Sequence, residues 1–177
     1  MRGFDTTQIT LAAIAIAIVF GVGLIYWGNR FKSMRRTTII GYGIVGGAAL
    51  VGAGLVVNHS GGLPVVILVA GIVVAGAGLF VMAGATPAAL GLLADISERF
   101  PADRGAIMGL YSVFLGLGQI VGSLVSGAAA DWRGVDGLLM ASLGLLVIAL
   151  VPLRWLRDSE HLVGQPAAPP RGDPAAA

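Results

Sequence analysis

The chain has 177 residues, of which 56% are apolar and only 11% charged, with 28 glycines and a formal net charge of +2. Soluble globular chains carry roughly 25% charged residues, so this one has too few to coat the surface it would show to water, and lipid must be the solvent for much of it. Soluble enzymes are excluded on that ground. A nucleic-acid partner is excluded too, because the few basic residues lie between apolar runs, as topology determinants do.

A bilayer-spanning helix takes about 20 residues, and the sequence predicts five. Residues 1–8 read as an extracellular N-terminal segment; they lack the basic start and small-residue cleavage site of a signal peptide. The first span is residues 9–27. The second, 38–57, follows a basic loop. The third, 64–94, is longer than one membrane thickness and contains Pro87, which removes a backbone donor and favours a kink or a tilted helix. The fourth is 106–130 and the fifth 138–156, with Arg154 close enough to its end to reach the headgroups. Residues 157–177 are polar and then rich in Pro and Ala, and read as a disordered cytoplasmic tail.

Basic residues alternate between the connections. Arg30, Lys32, Arg35, Arg36, Arg99, Arg104, Arg154, Arg157 and Arg171 fall on one side, and Arg2 and Arg133 on the other. The positive-inside rule then places the N-terminus outside a cell membrane and the C-terminus in the cytoplasm. Tyr26, Trp27 and Trp155 fall at the inner boundary and Trp132 at the outer, as aromatic anchors do.

In the fourth span Gly105, Gly109, Ser112, Gly116, Gln119, Ser123 and Ser126 or Gly127 recur at helical spacing and form one stripe. The glycines and serines read as a helix-packing seam, since small residues let backbones approach in lipid. Gln119 is an amide near mid-membrane that needs a partner on a neighbouring helix or a wet cavity. The cavity reading extends to Tyr111, Thr86 and Tyr42, of which Tyr42 and Tyr111 read sooner as interfacial or packing residues. The second and third spans are also dense in glycine, which suits either a moving protein or a tightly packed static bundle. No charged residue or histidine lies in the centre of any span, and there is no HExxH, GxSxG or phosphate loop, so neither a metal, a cofactor nor an intramembrane catalytic centre is expected.

Residues 105–111 (GAIMGLY), 117–127 (LGQIVGSLVSG), the short 131–134 turn (DWRG) and the last apolar run together resemble the eleventh and twelfth helices of the major facilitator superfamily of transporters. Residues 85–96 (ATPAALGLLADI) are similar to the end of that family's tenth helix. Residues 27–36 (WGNRFKSMRR) look like its basic loop between helices eight and nine, Gly-x-x-x-Asp-Arg-x-Gly-Arg-Arg, with Arg30, Arg35 and Arg36 present. Asn29 stands in place of the acid, and Ile25 and Lys32 in place of the glycines. Asn29 keeps hydrogen bonding but loses the charge that the motif uses to hold the cytoplasmic side closed. The resemblance covers residues 4–156. It implies an all-α integral membrane protein of five transmembrane helices, matching helices eight to twelve of an incomplete C-terminal half. It also implies a secondary transporter of a small solute that is incomplete alone. Its partners would be the lipid bilayer, a small-molecule substrate and an N-terminal half or another membrane subunit. The alternative reading is a small non-transporting membrane protein, a structural or regulatory subunit that assembles through its glycine-rich faces.

Overall fold

The computed structural model describes residues 5–30 and 34–163. The chain runs α1 (Thr6–Arg30), α2 (Arg36–Asn58), α3 (Val65–Met82), α4 (Ala85–Arg99), a 3-10 turn at Pro101–Asp103 and α5 (Arg104–Val163). Among the described residues four stretches are long and apolar enough to cross a membrane: α1, α2, α3 continued by α4, and α5. Large apolar side chains stand on the outside, with Val66 77%, Val65 71%, Leu124 67% and Val45 65% exposed, an arrangement that water would penalise and hydrocarbon does not.

Local chemistry sets the boundaries. At the start of α1 the Gln8 side chain accepts from the Asp5 backbone N–H at 3.3 Å, one half of a capping box. The helix therefore begins three residues ahead of the predicted 9–27 span and takes in part of the predicted N-terminal segment; residues 1–4 lie outside the described residues. Helix α2 closes on backbone bonds from His59 to Leu55 and from Ser60 to Val57. Pro64, at φ −54°, then opens α3.

The predicted third span is two helices meeting at Ala83–Gly84. Pro87 explains the place of the break: inside a helix its ring collides with the carbonyl four residues back, which is that of Ala83. The predicted fourth and fifth spans are two arms of α5, which bends where Arg133 and Gly134 leave helical geometry. Gly134 sits at φ 60°, ψ −140°, a region that only glycine enters without strain. A straight helix of that length would be about 90 Å long, three times the hydrocarbon thickness; the bend returns it. Gly137 is packed against the Ala129 carbonyl just across the turn. The second arm continues as helix to Val163, so residues 157–163, predicted as tail, are helical. Nothing interrupts them before Gly164 and Pro166. Residues 164–177 lie outside the described residues.

Helix α2 is the hub. A third of its most apolar window is buried, against 6% for α1 and for α5. It runs antiparallel to α3, and the two cross closely enough that a Cβ on Gly46 would lie 2.6 Å from the Gly78 carbonyl oxygen, and one on Gly78 2.6 Å from that of Gly46. It also runs antiparallel to the second arm of α5, Gly41 facing Leu153, Gly47 facing Leu146 and Gly54 facing Leu139. These pairings bring the ends carrying Arg30, Arg36, Arg99 and Arg157 to one side of the bundle, here the basic end, and Asn58 with the Gly134 turn to the far end. The first arm of α5 is different: Gly105, Gly109, Gly116, Gly118, Gly122 and Gly127 have nothing of the described residues within 4 Å of an added Cβ.

Candidate functional site

At the basic end, α1 is held onto the α3–α4 break by Trp27. The Gly84 N–H bonds to the Val81 carbonyl, one residue short of the helical partner, which leaves the Phe80 carbonyl open. The Trp27 indole Nε1–H donates to that oxygen at 3.0 Å, and a Cβ on Gly84 would lie 2.7 Å from the ring, so only glycine allows the indole this close. Trp27 is 8% exposed. It is therefore not the boundary anchor that its place at the end of an apolar run suggests, whereas Trp155 and Trp132 are 71% and 77% exposed. Tyr26 packs edge-on to Trp27 and tilted against Phe80, and the Arg30 guanidinium stands over the Tyr26 ring at 5.7 Å.

One helix further on, Arg36 ties α2 to α4. Its Nη2 donates to Asp95 Oδ1 at 2.9 Å, and its Nη1 lies hard against Gly91, where any side chain would displace it. Nη1 is fully enclosed and has no hydrogen-bond partner among the described residues. The carboxylate is 44% exposed, so the pair contributes only about 1 kcal/mol; its effect is to fix the angle between two helices. Beneath it Ser97 is fully buried and donates to the Ala94 carbonyl at 2.9 Å, and Thr37 is 2% exposed.

The far end has its own clamp. Asn58 Nδ2 donates to Asp136 Oδ1 at 2.7 Å, and His59 Nε2 lies 3.2 Å from Asp136 Oδ2. His59 Nδ1 is 3.0 Å from the Leu55 carbonyl, so both ring nitrogens face acceptors. Beside the turn, the Arg133 guanidinium covers the Trp132 ring at 4.6 Å.

The residues singled out by sequence are dispersed. Gln119 and Tyr111 lie on the first arm of α5, Thr86 at the start of α4 and Tyr42 on α2, and no hydrogen bond joins any of them to another. Tyr42 is 47% exposed with its ring 6.4 Å from that of Trp27. Gln119 and Thr86 are exposed and Tyr111 is half-buried. In the stripe, Ser112 and Ser123 donate back to the carbonyls of Met108 and Ile120 on their own helix. Of the motif residues, Asn29 is exposed, Arg35 is the residue ahead of α2 with no side-chain cap, and Arg36 bridges to another helix through Asp95. Asp95 pairs with a residue 59 positions away, which leaves no local signal in the sequence.

Apolar helices clamped through backbone contacts and end pairs, with lipid-facing exteriors, define a multi-pass α-helical membrane protein. The family model of the Major Facilitator Superfamily matches residues 2–175, and the chain belongs to that family of membrane transporters. No curated protein and no solved structure matches it significantly.

Proposed function

We propose that the chain forms helices eight to twelve of a major-facilitator-type secondary transporter, crossing the membrane five times with its basic end in the cytoplasm. On this reading it moves a small solute by alternating access together with a complementary set of helices, carried on a longer form of the chain or on a separate subunit. The observation that carries the reading is the open first arm of α5. Its glycines face no neighbour among the described residues, and Gln119, about 20 Å from either end of that arm by helical rise, is exposed and has no partner there either. An unpaired amide in hydrocarbon costs ~1 kcal/mol or more, and either a covering helix or a wet solute path removes that cost.

The chain has no cysteine, so single cysteines report topology cleanly. Substitutions at Asn29, Ala102 and Arg157 are expected to label from the cytoplasmic face, and those at Asn58 and Trp132 from outside. Any other alternation overturns the five crossings. In a reconstituted assembly that transports, Gln119→Leu is expected to lower transport more than expression; a loss confined to folding yield makes Gln119 a packing residue.

A further inference from the structure

A cavity of about 410 Å³ opens between α2 and the second arm of α5 at the basic end. Its two halves differ in chemistry. Arg154, Arg157 and Thr38 form the mouth, and Val45, Leu150 and Leu153 line the deeper part. From Thr38 to Val45 is seven residues, about 10 Å along the helix, so the lining passes from charged to wholly apolar within the depth of a glycerol backbone and the start of an acyl chain. The groove exists because Gly41 has no side chain: a Cβ there would already touch Leu153 Cδ2 at 3.6 Å, and a longer side chain would fill the floor.

We propose that this groove holds an anionic phospholipid, its phosphate on Arg154 and Arg157 and one acyl chain laid over Gly41 towards Val45 and Leu150. Three observations single out that occupant. Arg154 and Arg157 are exposed, three apart on one helix face, and both line the groove; Asp158, four residues on from Arg154 on the same side of the helix, makes no ion pair with either arginine. Trp155 between them is 71% exposed and marks the headgroup level. The groove wall continues into the exposed apolar side chains of Val45, Ile148 and Val151, so it opens sideways into hydrocarbon. A soluble anion would find charge at the mouth and nothing for the apolar depth; a zwitterionic lipid would fit the depth and bring its own cation to the arginines. Basic pockets between helices at the headgroup level suit an anionic headgroup. The inference requires that the chain sits in a bilayer, and it is independent of transport.

The test is native mass spectrometry of the full chain in neutral detergent, with dioleoyl phosphatidylglycerol, dioleoyl phosphatidylcholine and inorganic phosphate as probes. Phosphatidylglycerol is expected to be retained at roughly tenfold lower concentration than phosphatidylcholine. That preference should vanish in Arg154→Gln/Arg157→Gln, survive in Arg154→Lys/Arg157→Lys, and survive in Arg99→Gln/Arg104→Gln, which removes the same charge from the same end. Gly41→Leu should weaken phosphatidylglycerol retention with both arginines intact. Equal retention of the two lipids by the unaltered protein overturns the proposal, and that comparison requires no variant to fold. Loss of preference in the Arg99/Arg104 control, or displacement of the lipid by millimolar phosphate, overturns it as well.

Discussion

Replacing Gly46 by alanine tests the crossing on which the bundle depends. The added Cβ would lie 2.6 Å from the Gly78 carbonyl oxygen, 2.8 Å from the Met82 nitrogen and 2.9 Å from the Val81 Cβ. Two of these are backbone atoms, which no rotamer change can move aside. Helix α3 must retreat by roughly 0.8 Å to restore ordinary contact, and a gap of that size forfeits a quarter to a half of the dispersion energy of every atom pair it opens. Overpacking of this kind costs about 1–3 kcal/mol. Alanine also raises intrinsic helix stability by up to about 1 kcal/mol, so the proper reference is Gly52→Ala on the same helix, where an added Cβ meets nothing within 4 Å. The helix-propensity gain is common to both, and the difference isolates the steric term: Gly46→Ala should be less stable than Gly52→Ala by about 1–3 kcal/mol. Unfolding in mixed micelles, followed by tryptophan fluorescence, measures it. Once one alanine has pushed the helices apart, Gly78→Ala should add less than its separate cost. Equal stability of the Gly46 and Gly52 variants refutes the close crossing.

Asp95→Asn should cost about 1 kcal/mol and Arg36→Gln no more, since the Arg36 Nη1 is already without an acceptor; the double variant should cost little beyond either single one in the same unfolding assay. Trp27→Phe keeps an aromatic ring against Gly84 but leaves the Phe80 carbonyl without its donor, and should lower stability by about 1 kcal/mol, whereas Trp155→Phe should change nothing measurable. Asp136→Ala removes the acceptor shared by Asn58 and His59 and should destabilise by ~1 kcal/mol or more, visible as a lower thermal midpoint than that of Asp131→Ala, whose carboxylate has no partner among the described residues.

Hydropathy locates the apolar helices because a lipid-facing helix is apolar all round, a property of each segment taken alone. It places both ends of α1 and α2 within about three residues. Pairing is a different kind of property. Trp27 has the sequence context of a boundary anchor until Gly84 and the open Phe80 carbonyl, more than 50 residues later, are brought to it. The small-residue stripe of the fourth predicted span and the glycines of α2 are indistinguishable as sequence patterns, yet Gly46 meets backbone and Gly116 meets nothing. Spacing says which helix is able to approach a neighbour closely; it does not say which neighbour is there. The roles of the acids Asp95 and Asp136 are hidden for the same reason, each completed by residues on a helix distant in the chain.

The same contacts determine which parts of the bundle move easily. Helix α2 is locked to α3 at mid-length through backbone atoms, to α4 at the basic end through Arg36 and Asp95, and to the second arm of α5 at the far end through Asn58, His59 and Asp136. Tilting α2 against α3 separates the Gly46–Gly78 contact and strains both end clamps together, so these elements move as one body. Swinging the first arm of α5 breaks none of the three; it bends only the Gly134 turn and the joint at Pro101–Asp103, both of which lie outside regular α-helix. The soft coordinate of the bundle is therefore the arm that carries Gln119, and its position in the membrane follows from whatever packs against its glycine stripe.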